Sequence, residues 1–273
     1  MKQKQEESIT ILEDKGWEII SYSYAKEIIQ TKFEKEFATI KNLLLSLKIP
    51  LIELMSEGGG KHPINKRISL LFNNILEKEV SFQTSIVTKT KGGMEVASVN
   101  EAMSHDIDFF HYGEDGNFGL EVEWNSKVLA YERDILNFKR LFLNSTINVG
   151  VILTRGEKLE SNLEKYCDKF FKNRIKQSNW QKDIKSIQKE LSGRKDCSGE
   201  PYKFKNFTQR QIKEIDAKIK GGLKPYKAIS KNYRQEKWRG QTSHLDSLVE
   251  RIDRGGFQGI PLLLIGMPNN VLK

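Results

Sequence analysis

Apolar and polar residues alternate from Trp17 to Tyr24, the pattern of a strand buried on one face. From Ile28 to Leu47 the apolar positions recur at helical spacing, and the pattern stops before Pro50. Ser56-Glu57-Gly58-Gly59-Gly60-Lys61 reads as a loop; it is not a Walker loop, because no Ser or Thr follows the lysine. Pro63 opens a helix expected to run to about Glu79, with Ile64, Ile68, Leu71, Phe72 and Ile75 on one face. Val80 to Val87 reads as a strand, followed by a loop around Gly92-Gly93. Leu129 to Leu143 predicts a helix with Ile135, Phe138, Leu141 and Phe142 inward. The continuous apolar run Asn148 to Leu153 predicts a strand buried on both faces. A helix between two such strands is the crossover of a βαβ-like unit. Polar helices follow from Leu159 to Leu191, then a Gly/Ser-rich break at Ser192–Gly199, an amphipathic helix at Ser243–Arg254 and a last strand at Pro261–Ile265. No internal repeat is visible, and the order is that of an α/β domain.

Between these elements lies the segment that carries the chemistry. Phe109-Phe110 and Phe118-Gly119-Leu120 flank Gly113-Glu114-Asp115-Gly116, an Asp-Gly tip that closes a hairpin. With the hairpin centred between Glu114 and Asp115, Asp108 stands opposite Glu121 and Asp106 opposite Glu123. Period-2 alternation then puts all four carboxylates on one face. Like charges roughly 5 Å apart across a sheet are destabilising. A cation bridging the oxygens would relieve them, and hard divalent ions take oxygen ligands. The hairpin is therefore a candidate metal site.

Composition narrows the setting. The chain has 273 residues, 38% apolar, with mean hydropathy −0.54. No run approaches the ~18 apolar residues of a membrane span, and the start MKQKQEESIT has no apolar stretch of a signal peptide, so a cytoplasmic protein is expected. Cys167 and Cys197 have no companion ligand pairs and read as free thiols. The net charge of +9 is unevenly spread. Residues 1–155 hold 19 Lys/Arg against 22 Asp/Glu, whereas residues 156–240 hold 23 against 11. That excess of +12 in one segment calls for a polyanionic partner, nucleic acid being the expectation. Aromatics interleave the charges there (Phe170, Phe171, Trp180, Tyr202, Phe204, Phe207, Tyr226, Tyr233, Trp238), as on a nucleic-acid surface. A set of solvated Lys-rich helices is the plainer alternative. Residues 207–233 outline two short helices about Gly221-Gly222, a possible helix-turn-helix or simply a basic helical hairpin. Candidate phosphate contacts are Lys61, Lys127, Arg234, Lys237 and Arg239.

The order Asp–x(12)–Glu–x–Glu resembles the PD-(D/E)xK nuclease motif in the form where glutamate replaces the usual lysine, as in BamHI-like enzymes. Longer blocks are similar to the BglII/BstYI-type type II restriction endonucleases: His105-Asp106-Ile107-Asp108-Phe109, Glu121-Val122-Glu123-Trp124-Asn125-Ser126-Lys127, Arg133-Asp134-Ile135-Leu136-Asn137-Phe138 and Val149-Gly150-Val151-Ile152-Leu153-Thr154-Arg155. Near the end, Gln241-Thr242-Ser243-His244 and Gly256–Leu263 resemble two further elements of the group. The resemblance spans roughly Gly58–Pro268, interrupted by much of 160–240. It implies a restriction-endonuclease-like core, a mixed central sheet flanked by helices, formed by residues 1–155 and 241–273, with 156–240 as a basic helical insertion. It further implies site-specific hydrolysis of double-stranded DNA with Mg²⁺ to 5′-phosphate and 3′-hydroxyl ends, by a homodimer.

On that reading Asp108 and Glu121 are the bridging metal ligands, with the Val122 carbonyl as an extra. Glu123 orients or deprotonates the attacking water, or binds a second ion. Asp106 ranks below Asp108. Lys127 contacts phosphate rather than replacing the missing lysine, Trp124 is core, and His105, His111 and His244 are structural or DNA-contacting. Arg133 and Asp134 open a helix that resembles the group's dimerisation region, a surface ion pair being the alternative. Two other functions stay open on sequence alone: a PD-(D/E)xK nuclease of repair or recombination, and a non-catalytic DNA-binding regulator.

Overall fold

The computed structural model describes residues 8–57, 62–82, 85–89, 95–99, 106–176, 179–238, 243–255 and 259–273. Lys61, His105, Arg239, Gln241-Thr242 and Gly256-Phe257-Gln258 lie outside them.

The chain begins with α1 (Ser8–Asp14) and β1 (Glu18–Tyr22). The single helix expected over 28–47 is two, α2 (Ala25–Lys32) and α3 (Glu34–Ser46), parted at Phe33, whose φ of −125° leaves the helical region. The apolar spacing runs unbroken across the joint, because Ile29, Phe33, Phe37, Ile40 and Leu44 are all buried on one side. Helix α4 (Leu51–Met55) follows, and then α5 (Pro63–Phe72), with proline in its first turn. α5 ends at Phe72 instead of near Glu79, because Glu77–Ser81 is the edge strand β2. The strand expected at 80–87 is divided between β2 and β3 (Ser85–Lys89), and among the described residues β3 pairs only with β4 (Glu95–Val99).

The acidic hairpin is β5 (Asp106–Gly113) and β6 (Gly116–Glu123), paired Phe109↔Leu120 through Gly113↔Gly116, the register expected from its tip. The crossover helix α6 (Val128–Leu143) returns to β7 (Val149–Arg155). Helices α7 (Glu157–Ser161), α8 (Leu163–Lys172), α9 (Trp180–Ser192), α10 (Gln209–Lys220) and α11 (Pro225–Lys237) precede α12 (Leu245–Gly255) and β8 (Leu262–Met267). Thr208 caps α10 in a capping box with Gln211, and Pro225 starts α11, so the two helices about Gly221-Gly222 form as the sequence suggests.

The main sheet has the order β1-β8-β7-β6-β5-β2, with β6, β7 and β8 parallel and the rest antiparallel. Each face carries a core. One contains Phe109, Phe118, Leu120, Val122 and Trp124 together with α1–α5 and the helices of 157–238. The other contains Ile107, Phe110, Ile152 and Leu264 under α6 and α12. Phe170, Phe171, Trp180, Tyr202, Phe204, Tyr233 and Trp238 are buried in the first core, with Phe207 and Tyr226 packed against it. The aromatics read as a possible stacking surface are thus hydrophobic core: Phe204 and Tyr233 stack on each other at 5.4 Å.

Two glycines fix the position of α6. Gly119 of β6 lies beside Gly150 of β7, and a Cβ on either would come within 2.7 Å of the Phe138 ring. Only a strip without side chains lets that ring descend onto the backbone.

Candidate active site

The site forms where β5 and β6 part. Their ladder runs as far as Phe109↔Leu120 and is not continued at Asp108. On the other side of β5 the ladder to β2 holds at Phe109 and Ile107 but omits Asp108 and its counterpart Glu79, whose φ is +53°. The faces also change over here, since Ile107 and Phe110 pack under α6 and Phe109 packs on the opposite side. Side chains take the place of the missing ladder bonds. Val122 N donates to Asp108 Oδ2 at 2.9 Å, and Asp108 N donates to Glu121 Oε2 at 3.3 Å.

This break corrects the expectation of four carboxylates on one face. Asp106 is exposed, pairs with Ser81 of β2 and accepts the Ser81 hydroxyl. It does not face Glu123. Its place is taken by a residue from another element, Asp134. Seated by Phe138 one turn later, Asp134 is 1% exposed and stands over Glu121 (3%) and Glu123 (6%). Burial, then the charges of Asp108 and Asp134, push the Glu121 carboxyl well above the usual carboxylate range. Burial and a hydrogen bond to Asp134 push Glu123 up to about 9, against an opposing bond from Ser126. The neighbouring Arg133 guanidinium lies 3.6 Å from Asp134 but is mostly solvent-exposed, so it offsets little of this accumulated charge. The sequence marks Asp134 only as a residue of a dimerisation helix or of a surface ion pair. Its helical spacing from Phe138 shows which way it faces, but not that it meets Glu123.

The chain just beyond Glu123 is held from three sides. Thr154 Oγ1 donates to the Glu123 carbonyl at 2.7 Å and Ser243 Oγ at 3.2 Å. Arg155, fully buried, donates to the Trp124 carbonyl at 2.6 Å and to Asn125 Oδ1 at 3.2 Å, and its Nε pairs with Glu160 at 2.9 Å. The last residues of β7 therefore fix the exit of β6.

Asp108 and Val122 line a cleft of about 350 Å³ with Asn65, Lys66 and Lys78. Lys127 is exposed and caps α6. Arg234 is half-buried on α11, and Lys237 turns inward, donating to the Ser56 carbonyl. His111 stacks on Phe118 at 4.9 Å, and His244 exchanges bonds with Ser247 at the start of α12. Trp124 is fully buried.

For a metal ion, the donor chemistry fits: Asp108, Glu121 and the Val122 carbonyl offer hard oxygen donors beside an excess of buried negative charge. Among the described residues, no three Asp, Glu, His or Cys side chains converge closely enough to hold an ion as they stand. Asp108 and Glu121 are instead drawn onto backbone amides.

A mixed sheet whose antiparallel hairpin parts at an Asp, with Glu-x-Glu on the central strand and helices on both faces, is a restriction-endonuclease-like α/β fold. The comparisons agree: the model of the restriction endonuclease BglII/BglIII family matches residues 17–267, and the chain belongs to that family. The match runs through 156–240 as well. Among curated proteins nothing matches the chain. No helix among the described residues is long and apolar enough to cross a membrane.

Proposed function

We propose that this chain is a Mg²⁺-dependent, site-specific deoxyribonuclease that acts as a homodimer and leaves 5′-phosphate and 3′-hydroxyl ends. The observation that carries the reading is the burial of Glu121, Glu123 and Asp134 together, beside Asp108, in a restriction endonuclease family. Asp108, Glu121 and the Val122 carbonyl would hold the ion. When bound, it supplies a lowered pKa for water and stabilisation of charge on the phosphate oxygens. Glu123, whose carboxyl holds its proton near neutral pH until a cation at Asp108 and Glu121 draws it down, would then orient the attacking water and take its proton, a role that a cationic lysine at this position could not fill. Asp134 and the Ser126 hydroxyl set the direction of the Glu123 carboxyl. The basic segment 156–240 brings in the DNA that the acidic hairpin alone would repel.

A dimer is supported by α6. Leu129, Leu136 and Leu143, seven residues apart, are 75%, 42% and 69% exposed, and such a stripe is self-complementary across a two-fold axis. Leu136→Lys is expected to halve the mass measured by sedimentation.

Incubating plasmid with the protein and Mg²⁺ tests the activity. Discrete fragments are expected, and Glu121→Ala should lose cutting while keeping duplex binding. Cutting that survives in Glu121→Ala sinks the metal-site assignment. Smeared or branch-dependent products would point to a repair nuclease, and a mobility shift without cleavage to a regulator.

A further inference from the structure

A cavity of about 520 Å³ lies on the other side of β6 from Asp134. Its walls include Asn65, Trp124, Asn125, Lys205, Tyr233 and Lys237, and Asn65 also lines the cleft that holds Asp108. The walls present donors. Lys237 donates to the Ser56 carbonyl, which leaves two of its ammonium protons, and its Nζ lies 5.6 Å from the Tyr233 ring centre and 5.5 Å from that of Trp238. The Asn125 amide oxygen is taken by Arg155, so its NH₂ is the end left to face a ligand. His62 accepts from Ile64 N through Nδ1, and its Nε2 bonds to the same Ser56 carbonyl. Of the two carboxylates at the rim, Glu236 is engaged by Arg210 at 3.2 Å, and Glu57 is exposed. Burial pushes the Lys237 ammonium down to about 7 against the opposing effects of Cys167 and Glu57, with smaller lowering effects of Arg155 and Lys205. A cavity that presents the Lys237 ammonium beside Lys205 and the Asn125 amide suits an anionic ligand.

We infer that this cavity seats a phosphate group, held by Lys237 and Lys205, and, resting on the nuclease reading above, that the group belongs to the DNA backbone next to the phosphate being cut. Lys237 and Lys205 then fix the register of the strand entering the cleft of Asp108.

The test is the salt dependence of binding to a 30-base-pair duplex without divalent metal, followed by fluorescence anisotropy. Lys237→Met should weaken binding roughly tenfold near 0.1 M salt and reduce the slope of log K against log salt by about one. Because Lys237 also caps Ser56, Lys205→Met, which removes no such cap, should lower the slope in the same direction. Unchanged slopes in both lysine variants overturn the proposal. Inorganic phosphate at constant ionic strength should raise the Tm of the wild type more than chloride does, and not that of Lys237→Met. If phosphate does so but the duplex slopes do not change, the cavity holds a free phosphate and the backbone assignment falls. The assay cuts nothing, so reduced slopes in a protein that leaves plasmid intact overturn the nuclease reading and not the cavity.

Discussion

Glu53 and Glu121 are both buried glutamates, 0% and 3% exposed, and their surroundings are opposite. Glu53 receives Arg67 through two bonds, of 2.7 and 2.5 Å, and the Tyr202 hydroxyl at 3.2 Å. Glu121 stands among Asp108, Glu123 and Asp134, charges of its own sign. The fold supplies a counter-charge at Glu53, and that residue ties α4 to α5 and to the segment after α9. At Glu121 the fold supplies more negative charge. A buried acid that the protein pairs with a cation is structural, and one set among further acids is, on the reading proposed above, an arrangement for a cation.

The sharpest way to break this contrast is Glu121→Gln. Cleavage should fall by roughly a thousandfold or more, the scale of several kcal/mol of metal-borne charge stabilisation, while the Tm stays level or rises. A Tm loss as large as that of a Glu53 variant would place Glu121 with the structural acids. Glu53→Ala, by comparison, leaves Arg67 without its partner and should cost about 3–5 kcal/mol, read by urea denaturation, with cleavage per folded molecule unchanged. Gly150→Ala sharpens the comparison without touching either glutamate. Its Cβ would meet Phe138 at 2.6 Å, so about 1–3 kcal/mol should be lost. Activity should drop as well, because Asp134 moves with the helix. Asp196 gives the smallest effect. Burial pushes its carboxyl up, but the bonds from Lys66, Ser198 and Glu200 outweigh this and hold it well below the usual range. A folded pKa lower than the unfolded value contributes stability that is present above about pH 4 and is lost as pH falls through the folded pKa. Asp196→Asn should therefore flatten the stability curve below pH 4 and lower its level above that pH.

The hairpin was legible because an Asp-Gly tip sets register locally, and Phe109↔Leu120 pair as that register requires. Legibility ended one residue further on. The interruption at Asp108 depends on Glu79 in a neighbouring strand, which period-2 alternation within one strand does not report. The same limit hid β2 itself: Glu77, Lys78 and Glu79 are exposed on a sheet edge and show no apolar alternation, so helical spacing ran on past Phe72. Phe33 shows the converse, a continuous helical pattern across two helices, because both bury the same side. Asp134 was missed because its meeting with Glu123 depends on how α6 lies across the sheet. In 156–240 the composition gave the charge correctly, but the aromatics serve the core: Lys and Arg can cover apolar surface with their stems, so a basic segment needs large side chains beneath it.

The ring of Phe138 in its glycine strip has a mechanical consequence. α6 bears Asp134 on its inner side and Leu129, Leu136 and Leu143 on its outer side, so one rigid rod would join the reaction centre to the seam between protomers. In a dimer closed along that rod, the distance between the two cut phosphates, and hence the length of the single-stranded overhang, would be set by how deeply one phenyl ring sits between Gly119 and Gly150.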